Sequence, residues 1–414
     1  MSQPKPILSI IQKFILAIIL IVISGNIGYR MGQKNLSLSD LQIKKVLVKS
    51  SPPPNQNVDF TLFWSVWDKL EQKYLDKTKF DPQKMVYGAI QGMVASLGDP
   101  YTLFLPPKEN NDFKTDLAGS FEGIGAQLGI KDEKIVVISP LKGHPAEKAG
   151  IKSGDFIVKV NDEETIGWTV PQAVTKIRGA KGTTVKLSIA RESLALPFEV
   201  NVTRDTIIVK SVEYETKNLQ SDCKTDCAKV GYLKLSRFGD QTNDEWNKAV
   251  TLAKKDLPDA NFRGVILDLR NNPGGYFQSS IYVASEFIKS GIVVIQENSD
   301  STKETFSVNR LGSLLDTKLV VLINQGSASA AEIVAGALRD NNRGQLVGEK
   351  TFGKGSVQTP EDLPDGSGLH ITTARWIMPK GEWINGTGIK PDIEIKDATD
   401  SADLQLNKAL ELFN

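Results

Sequence analysis

The sequence predicts an α/β protein whose parallel sheet follows a helical segment and a domain of short strands. Two apolar runs, residues 264–270 and 318–323, predict the sheet, because each is followed by a small-residue turn and a helical pattern. Strand, turn and helix repeated in that order are typical of parallel pairing. The chain has 414 residues, 40% hydrophobic and 24% charged, which suits two or three domains with proper cores.

The front of the chain carries most of the charge asymmetry. The formal net charge is only +1, so no global attraction to nucleic acid is expected. A basic start followed by a short apolar core at residues 14–23 is typical of an export signal. A spanning helix needs about 20 apolar residues. No Ala-x-Ala site follows, so we favour an uncleaved anchor at residues 7–28 over a cleaved signal or a buried helix.

Residues 58–115 are predicted to be helical. Aromatic and apolar residues from Phe60 to Tyr74 recur at three- and four-residue spacing, which forms one apolar face. Asp81-Pro82 is predicted to start a second helix, because proline suits the first helical position. A stripe of this kind usually packs in a core, and we assign it no chemistry.

Residues 116–204 resemble a PDZ domain. The loop Gly123-Ile-Gly-Ala126 matches the carboxylate-binding loop of that family, and residues 149–155 match the turn before a core strand. Backbone N–H groups of such a loop bind a chain-terminal carboxylate, and the peptide adds as a strand beside it. The resemblance implies substrate binding by Gly123, Ile124, Gly125 and Ala126. Arg178 is a further candidate, with a solvated surface arginine as the alternative.

Ser329 is the candidate nucleophile. It follows the second apolar run, among the small neighbours Ala328, Ala330 and Ala331. The start of the next helix offers free N–H groups and a positive dipole end, which suits an oxyanion. A helix-capping serine is the alternative, and Ser327 is a candidate for that role.

Lys354 is the candidate base, 25 residues after the serine in a glycine-rich strand. A lysine must be neutral to accept a proton, and burial lowers its pKa from about 10.4. In an extended segment Gln358 lies on the same side and its amide orients the amine. The alternative is a solvated lysine in a loop. The two histidines, His144 and His370, are interpreted as structural, which makes a serine–histidine triad the weaker hypothesis.

The cysteines and metal ligands are few. Cys223 and Cys227 lie four residues apart in a polar stretch, where they either pair in an oxidising compartment or remain exposed thiols. No second Cys/His pair is present in the sequence to complete a four-ligand zinc site.

Taken together, these motifs resemble the carboxyl-terminal processing peptidases, a serine–lysine family with an inserted PDZ domain and a crotonase/ClpP-like core. The match runs from about residue 60 to 395. It is carried by the PDZ stretch and by four blocks: residues 267–275, 326–332, 353–358 and 386–391. The resemblance implies Ser329 as nucleophile, Lys354 as general base and Gln358 as its positioning residue. It also implies an oxyanion hole formed by the amide of Ala330 and by Gly274 or Gly275.

The expected function is therefore endoproteolysis near protein carboxyl termini, by an acyl-enzyme and without metal or organic cofactor. Expected partners are proteins or peptides with free carboxyl termini, and a membrane through the N-terminal anchor. The resemblance and the predicted export place the enzyme on the periplasmic or thylakoid-lumen side. An inactive PDZ adaptor is the main alternative, and a small-molecule esterase or amidase is a third.

The expected domain boundaries follow the changes in pattern. Residues 1–57 form the anchor and linker, 58–115 the helical segment and 116–204 the PDZ domain. Residues 205–396 form the protease core, and 397–414 form a C-terminal helix.

Overall fold

The computed structural model describes residues 58–220, 222–396 and 403–414. The predicted anchor at residues 7–28 lies outside these residues. No helix in the described ranges is both long and apolar enough to cross a membrane. The chain divides into two compact units, residues 1–80 and 81–414, and each is described by itself.

The described part of the first unit is built around helix α1, Thr61–Lys73, followed by a 3₁₀ turn, Lys77–Lys79. Its aromatic rings pack on one another, with centroids 5.1 Å apart for Phe63 and Trp64 and 5.9 Å apart for Trp67 and Phe80. The predicted helix is confirmed. The burial expected for its aromatic stripe is not found, because no residue of α1 is buried and Trp64 is 40% exposed.

The second unit contains the remaining helices and the sheets. Its helices are α2 Pro82–Ala95, α3 Pro107–Leu117, α4 Pro145–Lys148, α5 Val170–Ile177, α6 Thr242–Asp256, α7 Phe277–Ala284, α8 Ala330–Asp340 and α9 Leu404–Glu411. As predicted, Pro82 begins α2. The structure adds that Asp81 caps the helix, because its carboxylate accepts the N–H groups of Gln83 and Lys84.

Strands β2 to β9 build the PDZ-like region. They are β2 Ser120–Gly123, β3 Ala126–Lys131, β4 Lys134–Pro140, β5 Phe156–Val160, β6 Glu163–Glu164, β7 Thr184–Ala190, β8 Phe198–Thr203 and β9 Asp205–Ile208. The main sheet has the order β3-β4-β5-β7-β8, with β6 beside β5. Fully buried side chains such as Ile135, Ile157 and Leu187 form its core under α5. Strands β2 and β9 pair separately as a two-stranded ribbon.

The other strands belong to the catalytic region. They are β1 Leu103–Leu105, β10 Val212–Asn218, β11 Lys229–Leu235, β12 Phe262–Asp268, β13 Ile292–Asn298, β14 Lys303–Ser307, β15 Leu319–Ile323, β16 Gln345–Gly348, β17 Ser356–Asp362, β18 Gly368–Ile377 and β19 Ile393–Glu394. In the described residues one sheet has the order β10-β11-β12-β15-β16-β19. Its pairs from β11 to β19 are parallel, as predicted, and only β10 is antiparallel. A second, antiparallel sheet has the order β1-β18-β13-β14, and β17 also pairs with β18.

Both faces of the parallel sheet are covered, which explains its continuous apolar strands. Helices α6, α7 and α8 contribute Trp246, Ile281 and Val334 to one core, and the C-terminal helix contributes Ala409 to another. The cysteines, whose pairing the sequence left open, form the disulfide Cys223–Cys227 between β10 and β11.

The PDZ-like core yields a stability prediction. Ile157→Ala removes a fully buried side chain and is expected to lower the free energy of unfolding of this region by about 3 kcal/mol. Ile166→Ala, at a loop position that is 78% exposed, is the matched control and should change it by less than about 0.5 kcal/mol. Hydrogen exchange of the β7 amides measures both. Equal losses would contradict the described core.

Candidate active site

Two turns at the carboxyl ends of adjacent strands form the site. Because β12 pairs in parallel with β15, the turns that follow them lie side by side. The side-chain oxygen of Asn324 accepts the N–H of Asn271 at 2.8 Å and that of Gly326 at 3.0 Å. The N–H of Ala328 donates to the carbonyl of Asn272 at 2.9 Å. These bonds fix one turn against the other.

Ser327 also takes part in the hydrogen bonds that join these two turns. Its hydroxyl donates to the carbonyl of Leu269 at 2.8 Å and accepts the N–H of Asn324 at 3.0 Å. The capping role for which the sequence made Ser327 a candidate is therefore wrong. The residue is fully buried, and a hydroxyl engaged in both turns is not at the start of α8.

Ser329 lies immediately before α8, in a backbone conformation that L-residues rarely adopt, with φ 53° and ψ −116°. Gly274 packs directly against Ser329, and only a residue without a Cβ fits there. A Cβ on Gly274 would lie 2.8 Å from the Cβ of Ser329 and 3.0 Å from the nitrogen of Ala330. The turn that contains the two candidate oxyanion glycines is thus in contact with the candidate nucleophile.

The backbone hydrogen bonds distinguish between the two glycines. The N–H of Gly274 donates to the side-chain oxygen of Asn272 at 2.9 Å and is buried. The N–H groups of Gly275 and Ala330 donate to no acceptor within the described ranges. Gly275 is exposed and directly follows Gly274, which contacts the serine. Gly275 and Ala330 are therefore the pair with donors available for an oxyanion.

Lys354 lies in a loop just before β17, not within a strand as the sequence predicted. Its carbonyl accepts the indole N–H of Trp376 at 2.8 Å. Gly353, at φ 92°, fits against the 386–388 turn, where a Cβ would lie 2.7 Å from the nitrogen of Gly388. Tight packing on that turn and on Trp376 holds the lysine outside the ladder of β17 and β18.

Glu332 connects the serine to the lysine loop. One carboxylate oxygen accepts the N–H of Ser329 at 2.8 Å and that of Lys354 at 2.9 Å. The other oxygen accepts the hydroxyl of Thr351 at 2.5 Å and the N–H of Gly353 at 2.7 Å. The side chain is fully buried, and burial raises the pKa of Glu332 while these four donors favour its charged form.

The Lys354 amine has an environment suited to a base. Burial lowers the pKa of Lys354, against the opposing pull of Asp99 and Glu332. The amine lies over the ring of Tyr101, 5.0 Å from its centroid. In the part of the chain that the structure describes, it donates no hydrogen bond to the hydroxyl of Ser329. The structure thus shows the dyad residues held by a common carboxylate but not hydrogen-bonded to each other.

Within the described residues Gln358 makes no hydrogen bond to Lys354, although the sequence predicted that its amide orients the amine. Its amide donates to the hydroxyls of Ser356 at 2.9 Å and Thr372 at 3.1 Å. The expectation rested on an extended segment from Lys354 to Gln358. The strand begins only at Ser356, so Lys354 lies in the preceding loop and the two-residue alternation does not extend back to it.

The histidines lie where a structural role is expected. The ring of His370 packs edge-on against Phe113, 4.6 Å between centroids, and burial lowers its pKa. His144 directly precedes α4 and packs against Gly125, where a Cβ would lie 2.6 Å from that of His144.

The predicted carboxylate loop opens at the edge of the PDZ-like sheet. Strand β3 is an edge strand of that sheet, next to α5. The carbonyls of Ile124 and Gly125 accept the N–H groups of Ala146 and Leu141. Their own N–H groups donate to nothing in the described ranges, and Gly125 has φ 73°. The guanidinium of Arg178 stacks on Phe121, 4.5 Å from its centroid, and lies 4.0 Å from Asp116.

Comparison with known proteins gives the family. The model described as peptidase family S41 matches residues 229–395, the PDZ domain model matches 113–190, and the model of the activating protease CtpB N-terminal domain matches 21–108. The carboxy-terminal processing protease CtpA of Bacillus subtilis is 38% identical over 374 residues, which cover 90% of this chain and 72% of the relative.

This chain belongs to peptidase family S41. Among solved structures, it is similar to the photosystem II D1 C-terminal processing protease, at 31% identity and a TM-score of 0.51, over 84% of this chain and 96% of that one. An S41 protease from Bacteroides fragilis has a TM-score of 0.56 at 19% identity, over 88% and 98% of the two chains, and shows the fold alone. The S41 assignment makes the chain a serine-type processing peptidase with a PDZ domain.

Two residues of this S41 site were missed from the sequence. Glu332 follows Ser329 by three positions, the spacing of a capping box, and that signal was available. Tyr101 is 253 residues (354 − 101) from Lys354, and no local pattern connects them.

The four hydrogen bonds that the Glu332 carboxylate accepts yield a prediction for Glu332→Gln. An amide NH₂ cannot accept the hydrogen bonds that one carboxylate oxygen accepts, so two donors lose their partner and Ser329 moves relative to Lys354. We expect kcat to fall about 10- to 100-fold with little change in KM. Loss of the Glu332 charge lowers the pKa of Lys354 further, so the acid limb of the pH profile moves to lower pH.

The matched control is Glu349→Gln, since the Glu349 carboxylate accepts a hydrogen bond only from the Gln325 amide in the described residues. Steady-state cleavage of a peptide across pH measures both variants. An unchanged kcat for Glu332→Gln would contradict the assigned role.

Proposed function

We propose that this peptidase binds the free carboxyl terminus of a protein in its PDZ domain and cleaves a bond upstream through an acyl-enzyme on Ser329. The observation that carries the proposal is the Glu332 carboxylate, which accepts the backbone N–H groups of both Ser329 and Lys354. It ties the main chain of the nucleophile to that of a half-buried lysine whose pKa is lowered.

In the proposed chemistry, Lys354 accepts the proton of the Ser329 hydroxyl as the oxygen attacks the scissile carbonyl. The N–H groups of Ala330 and Gly275 stabilise the oxyanion. The lysine then gives its proton to the leaving amine, and a water that the neutral lysine activates releases the acyl group. Each step uses groups of this chain and the substrate alone.

The loop Gly123–Ala126 supports the capture of a carboxyl terminus. The N–H groups of Ile124 and Gly125 have no acceptor in the described residues and are available to a substrate carboxylate. The free edge of β3 is available to the substrate chain as an added strand. Arg178 adds positive charge beside Gly123, with its stem 3.7 Å from the Cβ position of that glycine. The similarity to the photosystem II D1 C-terminal processing protease supports proteins that are processed at their carboxyl termini as the substrate class.

We also propose that the enzyme is exported and anchored by residues 7–28, on the periplasmic or thylakoid-lumen side. The basic start and apolar core of the sequence support this placement. Fractionation of cells that express the full chain tests it: carbonate-resistant membrane association is expected, and release into the soluble fraction would count against an uncleaved anchor.

The proteolytic proposal predicts how the wild type and two variants behave. Wild type cleaves an unstructured protein near its carboxyl terminus, while Ser329→Ala and Lys354→Ala lose cleavage and keep binding. Mass spectrometry of the products measures the cleavage by each protein. Cleavage that survives Lys354→Ala would show that another group is the base.

Capture of the terminus has its own control, the same substrate with an amidated carboxyl terminus. Loss of charge-assisted hydrogen bonds to the loop should lower kcat/KM about 10- to 100-fold. Equal cleavage of the acid and the amide would contradict binding of the carboxyl terminus by the PDZ domain, without contradicting the peptidase activity. Terminus-dependent binding without any cleavage by wild type would instead favour the adaptor alternative.

A further inference from the structure

Tyr101 reaches the catalytic region from a distant part of the sequence. It lies between α2 and β1, in the turn Asp99–Thr102, and its half-buried ring faces the amine of Lys354 at 5.0 Å. The aromatic face carries partial negative charge and attracts a cation, most strongly where water is excluded.

The turn that carries Tyr101 is fixed on both sides. The Asp99 carboxylate accepts the N–H of Tyr101 at 3.0 Å and the hydroxyl of Thr102 at 2.7 Å. The Thr102 hydroxyl in turn accepts the N–H of Thr372 at 3.0 Å. Thr372 lies in β18, which pairs with β17 directly after the lysine loop. The ring is therefore positioned by the same sheet that positions Lys354.

We propose that the face of Tyr101 is a positioning element for Lys354 that stabilises the ammonium formed when this lysine accepts the proton of Ser329. The inference rests on the proposed function of Lys354 as the base. In that step the O–H bond of Ser329 breaks, an N–H bond forms on Lys354, and the oxygen's electron pair bonds the substrate carbonyl carbon. The ring thus acts on a charge that appears during the reaction.

The other charged or titratable groups that act on the amine are Asp99 in the same turn, Glu332 on α8 and His370 on β18. Asp99 and Glu332 raise the pKa of Lys354, and burial lowers it. The carboxylates remain in place when the ring alone is replaced. A change confined to Tyr101 therefore isolates the aromatic contribution.

The test measures the ionisation of the Lys354 amine without catalysis. In a Ser329→Ala background of the full chain, competitive acetylation with acetic anhydride is followed by mass spectrometry across pH, with the exposed Lys350 as internal reference. Tyr101→Leu keeps an apolar wall but removes the aromatic face. We expect the midpoint for Lys354 to fall by about one pH unit. Tyr101→Phe keeps the face and leaves the midpoint in place.

The sign of the shift separates this role from a structural one. If Tyr101→Leu merely admitted water, burial would be relieved and the midpoint would rise, which would overturn the proposal. An unchanged midpoint, or an equal fall for Tyr101→Phe, would also overturn it. Tyr101→Met, which fills more of the ring's volume, checks that the Leu result is not a cavity effect and should show the same fall.

Kinetics with Ser329 restored give the second readout. The acid limb of kcat/KM should move to lower pH by the same amount as the acetylation midpoint, with a lower plateau. A midpoint that falls as expected in a protein that cleaves no substrate would refute the peptidase proposal and leave the aromatic contact standing. A limb that stays fixed while the midpoint falls would show that the ring does not act in catalysis.

Discussion

The buried carboxylate of Glu332 is the interaction on which the site depends. This carboxylate is fully buried. Removing a charged group from water is costly unless other hydrogen bonds replace those it made with water. Four donors replace them here, and they come from both sides of the site: Ser329 at the start of α8, and Thr351, Gly353 and Lys354 in the lysine loop. The strained backbone at Ser329 persists because this carboxylate and Gly274 hold it. The serine and lysine are therefore brought together through their main chains.

The electrostatics of Lys354 follow from the same construction. A base that works on a serine must be neutral before the reaction and charged after it. Burial favours the neutral amine, whereas Asp99, Glu332 and the Tyr101 face favour the ammonium. A site with burial alone would hold a weak base, and one with charges alone would hold a lysine protonated at neutral pH. Because these contributions oppose each other, Lys354 can be neutral before the proton transfer and protonated after it.

The sequence predicted most of the framework and part of the site. Strand patterns at residues 264–270 and 318–323 predicted the parallel pair, and Asp81-Pro82 predicted the start of α2. Ser329 and Lys354 were found because each stands in a distinctive small-residue segment. The expected contact of Gln358 with Lys354 was not found, because the strand starts only at Ser356 and an alternation rule does not reveal where a strand begins. The choice of Gly275 over Gly274, and the approach of Tyr101, depend on long-range packing that no local pattern encodes.

The pH dependence of Ser329 labelling by a fluorophosphonate tests the central claim most directly, because it needs no substrate and no PDZ capture. For the wild-type chain, the account predicts that the labelling rate rises with a single ionisation whose pKa lies below that of an ordinary lysine. In Lys354→Met, which keeps the volume and loses the amine, that ionisation should vanish and labelling should become slow at every pH. The same rate and the same ionisation in both proteins would contradict a serine activated by Lys354.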